Sequence, residues 1–94
     1  MISKSRSVSP ELKERMKKLG WRRKISTDIL LGKILQTTEF DRVDITIHKY
    51  EDYFLLRYVK AYYDSPSAIV SAHGASLVDV VAELYCELRE ENLI

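Results

Sequence analysis

Cys86, His48 and His73 are the side chains in this sequence with the most reactive chemistry, and their spacing gives none of them a partner. Nucleophilic catalysis needs an activated nucleophile, a base, and a group that orients the base. Cys86 falls in the middle of an expected helix beside Glu87, away from the helix N-terminus that would acidify a thiol. It reads as a small, semi-buried side chain. His48 alternates onto the polar face of an expected strand. His73 stands just before a helix start, where amide groups could join it in holding an anion, though a plain loop histidine accounts for it as well. No two histidines lie four apart, and no acid-rich loop carries a glycine at its bend, so metal ligation has no pattern to rest on. Asp41, Asp44, Glu51 and Asp52 fit turns. Gly20, Gly32 and Gly74 are isolated, so no phosphate-cradling loop is present. The sequence therefore predicts no enzyme, no cofactor and no metal site.

Contact is the remaining chemistry. Lys17, Lys18, Arg22, Arg23 and Lys24 surround the only tryptophan, Trp21. A ring among cations can stack on a base while the charges meet phosphates. Trp21 has a second reading: it follows Leu19-Gly20 at the end of a helix, where a bulky residue packs back onto the helix it has just left. Six tyrosines are many for a small core, and Tyr62-Tyr63 falls at a strand end. Those rings read equally as interface anchors and as ordinary strand residues with wet hydroxyls.

The elements that carry these residues are legible from periodicity. Ser9-Pro10-Glu11 starts a helix with a capping hydroxyl, proline at the first helical position and an acid in the first turn. Leu12, Met16 and Leu19 form its stripe, Glu11–Arg15 and Glu14–Lys18 are expected ion pairs on its wet face, and Gly20 ends it. Ser26 or Thr27 caps a second helix with apolar Ile29, Leu30, Leu31, Ile34 and Leu35. Gly32 within it marks an expected close packing contact. The period then changes to two. Val43, Ile45 and Ile47 alternate with Asp44, Thr46 and His48, the pattern of a half-buried strand. Glu51-Asp52 is the turn into a long strand over 53–63, with Phe54, Leu56 and Tyr58 on one face and Leu55, Arg57 and Val59 on the other. Asp64-Ser65-Pro66-Ser67 turns into a short third strand over 68–72, broken by His73-Gly74-Ala75. Ser76 with Asp79 is a variant of the capping box that opens the last helix, striped by Leu77, Val81, Leu84 and Leu88.

The expected order is thus α-α-β-β-β-α, a three-stranded antiparallel meander packed against helices in an α+β domain. Ninety-four residues fit one domain, read here as a basic flexible tail over 1–8 and a folded unit over 9–94. With helices on one side only, Leu55 and Val59 would lie exposed, which would argue for a homo-oligomer. A single cysteine forms no intrachain disulfide and fits a reducing compartment. With no apolar run of membrane-spanning length and no signal-peptide core, the expected location is cytoplasmic. The net charge of +1 conceals a gradient. Residues 1–24 carry nine basic side chains against two acids, and residues 61–94 one arginine against six acids. Such ends attract each other, or a partner of opposite charge.

Ser26-Thr27-Asp28-Ile29 opening a helix, a meander, a glycine turn and a closing amphipathic helix ending in Glu-Asn-Leu-Ile resemble small phage and prophage proteins, including the phage ABA-sandwich domain family. That resemblance implies a viral or prophage origin, a bacterial host cell and no catalytic residues to carry over. Three strands followed by Gly74-Ala75-Ser76-Leu77 and a helix are similar also to HicB-type antitoxins, although this chain has two helices in front and lacks their Pro/Gly-rich segment after the second strand. The expected function is that of a small non-enzymatic protein that binds a host or viral protein, one concrete form being an inhibitor of host machinery or defence. The alternatives are a nucleic-acid-binding accessory protein that uses the basic N-terminal segment, and an antitoxin-type module.

Overall fold

The computed structural model describes residues 8–36, 42–61 and 68–94. Its elements follow the expected order: α1 (Pro10–Lys18), α2 (Thr27–Ile34), β1 (Arg42–Lys49), β2 (Phe54–Ala61), β3 (Ala68–Gly74) and α3 (Leu77–Glu90). The strands form an antiparallel sheet in the order β1-β2-β3. The chain is an α+β domain with every helix on one face of that sheet.

The alternation read from the sequence sets that face. Register places Ile45, Tyr58 and Val70 side by side, and likewise Ile47, Leu56 and Ala72. Leu56, Tyr58, Val70 and Ala72 are buried beneath α3. Asp44, Val59 and Ile69 line up on the opposite face, as do His48, Leu55 and His73. Leu55 and Val59 are half-buried there rather than exposed, because each sits on the central strand between two cross-strand neighbours. Exposure shifts to the edge instead, where Ile69 keeps 57% of its surface in water.

α3 is the centre of the molecule. It lies over β3 and β2, while α1 and α2 each pack on α3 and on no strand. Val80, Val81, Ala82, Leu84, Tyr85, Cys86 and Leu88 are all buried, an arc of roughly 240° at about 100° per residue. That is far wider than a stripe read at heptad spacing, since α3 has neighbours on both sides. Cys86 is wholly buried in this arc. β1 lies outside the helix layer, and Ile47 on its helix-side face is 46% exposed.

Both long-range helix ends close alike. After α1, Gly20 N–H donates to Lys17 O and Trp21 N–H to Met16 O at 2.9 and 3.0 Å, with Gly20 in the left-handed region at φ +93°. After α3, Asn92 at φ +59° takes the glycine's place, and Leu93 N–H donates to Leu88 O at 2.8 Å. These Schellman closures turn Trp21 and Leu93 back towards the core.

Several local expectations resolve differently. Val8, assigned to the tail, is buried in the core. Asp79 does not close a capping box on Ser76; its Oδ1 accepts from Ser9 N–H at 3.1 Å, a tie between α3 and the chain before α1. Arg15 turns to Glu90 rather than Glu11, and Glu14 faces Lys17 at 3.9 Å rather than Lys18. A Cβ at Gly32 would meet nothing within 4 Å, so no close contact requires that glycine. β3 runs on through His73 and Gly74, because both still pair with β2. β2 begins at Phe54, with Tyr53 in the preceding turn. Tyr62, Tyr63 and the turn over 64–67 lie outside the described residues.

Candidate functional site

The basic segment forms a surface centred on Trp21. The Schellman closure drives the indole inward, where it is 9% exposed and meets the Tyr85 ring edge-on at 5.1 Å between centroids. Trp21 is thus a core residue, the second of its two sequence readings, and its faces are not free to stack on a base. Its indole N–H is buried without a hydrogen-bond partner among the described residues.

Two clefts flank this ring. The first, about 340 Å³, is walled by Trp21, Tyr85 and Ile94 and by the cations Arg22, Arg23, Lys33 and Arg89. The second, about 240 Å³, is walled by Met16, Trp21 and Ile25 and by Lys13, Lys17, Arg22 and Arg23. Arg22 and Arg23 stand between the two, and no Asp or Glu side chain lines either. Three separate parts of the chain converge here: α1 with its linker, Lys33 from the last turn of α2, and Arg89 from the last turn of α3. Arg89 is steadied by donating to Leu19 O at 3.3 Å. Arg22, Arg23 and Lys33 make no ion pair among the described residues. Cations gathered at this density repel one another, and each gains from any anion that enters.

Of the residues singled out in the sequence, the fold gathers Lys17, Trp21, Arg22 and Arg23. Lys18 is exposed on α1 away from both clefts. Lys24 lines a different cleft of about 600 Å³, with Ser26, Phe54, Ser76 and Leu77. Sequence reading missed Lys33 and Arg89. Lone charges in the last turns of two separate helices, they carry no local signal and join the cluster only through helix packing.

Acids border the cationic surface. Arg15 donates to both carboxylate oxygens of Glu90, through Nε at 2.8 Å and Nη2 at 2.7 Å. The guanidinium holds the Glu90 carboxyl below its ordinary range. Burial pushes the Cys86 thiol up to about 11, the opposite of what a nucleophile needs.

A second exposed feature lies across the molecule. Tyr50 and Tyr53 stack at 4.7 Å across the β1–β2 turn, with His48 and His73 each 6.3 Å from one of the rings. Among the described residues no group of three His, Cys, Asp or Glu is placed to hold a metal, and no helix is long and apolar enough to cross a membrane. No protein-family model matches the chain, and no curated protein or solved structure matches it.

Proposed function

We propose that this is a non-enzymatic binding protein that docks an acidic segment of another protein against the paired clefts around Trp21. The observation that carries the reading is the ring of Arg22, Arg23, Lys33 and Arg89 with no Asp or Glu side chain in the lining. The shape favours a short acidic segment over a nucleic-acid strand. Each cleft is compact, and the cations surround concavities instead of following a track. A long polyanion leaving the clefts would meet Glu14 beside Lys17 and Glu90 beside Arg89. Two or three carboxylates from a protein partner fit between those borders. The phage resemblance adds a host or viral protein as the partner, and inhibition of host machinery as the consequence.

The experiment compares an acidic peptide with single- and double-stranded oligonucleotides by fluorescence anisotropy over a salt series, using the native protein and an Arg22→Glu/Arg23→Glu variant. Preferential peptide binding that disappears in the variant supports the proposal. Tighter oligonucleotide binding with a steep salt dependence replaces it with the nucleic-acid reading. Peptide binding unchanged by the double reversal removes the clefts from consideration.

A further inference from the structure

The ladder between β1 and β2 fixes which main-chain groups of β1 are spare. Tyr50 N–H donates to Tyr53 O at 2.8 Å, and the same register continues through His48/Leu55, Thr46/Arg57 and Asp44/Val59. In an antiparallel pair the bonded positions alternate. Asp44, Thr46 and His48 therefore bond inward to β2, while Val43, Ile45, Ile47 and Lys49 turn their N–H and C=O groups to an edge that pairs with no other strand among the described residues. This edge is eight residues long with no bulge and no proline. Its ionisable residues are Arg42, Asp44, His48 and Lys49, so the central stretch over 45–47 carries no charged guard against strand pairing.

We propose that β1 is the seam of a homodimer, in which two copies pair antiparallel about a two-fold axis through Thr46. A two-fold seam must be complementary to itself, and only some registers keep helix-side residues opposite helix-side residues. Centring on Asp44 sets two carboxylates face to face. Centring on Ile45 puts Arg42 opposite the partner's His48 and leaves Asp44 opposite a threonine. Centring on Ile47 leaves Asp44 opposite the ring of the partner's Tyr50 and His48 opposite a threonine. Centring on Thr46 pairs Ile45 with the partner's Ile47 on the helix side, and Val43 with the aliphatic stem of the partner's Lys49. On the outer side it pairs Asp44 with the partner's His48, and Arg42 with the exposed ring of the partner's Tyr50. Each of these contacts occurs twice. Arg42 already holds Asp44 at 3.2 Å within the strand, so the outer face of the seam alternates cation, anion, imidazole and ring. The four outward-facing residues of each copy supply about eight main-chain hydrogen bonds. Ile47, left 46% exposed because β1 lies outside the helix layer, gains an apolar neighbour. The seam joins the sheets into one of six strands and leaves the Trp21 clefts of each copy out of the pairing.

Sedimentation of the unaltered protein, with disulfide trapping of variants that each gain one cysteine, tests this. Thr46 and its copy face each other at a non-hydrogen-bonded site, with Cα atoms about 4.5 Å apart, inside the range a disulfide spans. Asp44 and its copy lie roughly 14 Å apart, four residues along the strand. The proposal expects a dimer for the native chain, rapid cross-linking of Thr46→Cys, little for Asp44→Cys, and mixed dimers when Asp44→Cys is combined with His48→Cys. Ile47→Lys, a surface change that puts a charge into the seam, gives a monomer with unchanged circular dichroism. Cys86 is fully buried and contributes no competing thiol. A native chain that sediments as a monomer throughout, or Asp44→Cys cross-linking as fast as Thr46→Cys, overturns the proposal. The native sedimentation result stands even if a variant misfolds.

Discussion

Arg15 on α1 and Glu90 at the end of α3 are 75 residues apart in sequence and joined by two parallel hydrogen bonds of 2.8 and 2.7 Å. The pair ties the basic head of the chain to its acidic tail. Part of the charge gradient is thereby spent inside the molecule, and what is left unpaired collects around Trp21.

Acid should weaken this tie. The guanidinium lowers the Glu90 carboxyl below its ordinary value, so the stabilisation is present above the unfolded-state value and is lost as pH falls through the folded one. Chemical denaturation across the acid range should show the native chain losing stability where Glu90→Gln does not. The difference should shrink in high salt, because both side chains are partly exposed.

Cys86 works in the opposite direction. Burial raises its thiol from 9.0 to about 11, so its contribution is complete below the ordinary thiol value. That contribution declines as pH rises from there towards about 11. A thiol reagent at neutral pH should label Cys86 only as fast as the protein opens, and denaturant should speed labelling sharply. Cys86→Ala should remove part of the alkaline loss of stability.

Two glycines on the same face of the sheet should respond with opposite signs. Gly20 holds φ at +93°, a conformation that costs an L-residue about 1–2 kcal/mol, so Gly20→Ala should destabilise by about that amount. Gly32 is helical with open space around it, and Gly32→Ala should stabilise by about 0.4–1 kcal/mol through the unfolded state. Urea midpoints of the two variants measure both.

Element order and sheet faces were legible because they depend on local signals: the proline and glycine bounding α1, the Ser26 hydroxyl that accepts from Ile29 N–H at 3.2 Å, and the period-two run over 43–48. The side chains that reach across the fold were not. Asp79 looks like a capping residue from its neighbours, yet it bonds a backbone amide 70 residues away. Arg15 has Glu11 one turn off and takes Glu90. For Arg15 the distant partner adds a tertiary tie where the local one offers only a solvated contact worth a few tenths of a kcal/mol. The candidate site divides in the same way. Its linker half is a visible run of charge, whereas Lys33 and Arg89 arrive only when α2 and α3 are docked.

The position of α3 between the sheet and the other two helices has a consequence for how the chain is made. α1 and α2 rest on α3 and on no other described element, so they have no surface to fold onto until α3 has been made. Met16, Leu30 and Ile34, all wholly buried in the folded molecule, stay uncovered until then. Short helices of nine and eight residues do not persist alone in water. The nascent chain can build its hairpins early, but the Trp21 clefts come into being only once α3 has been made, by docking that closes loops of about 55 to 75 residues.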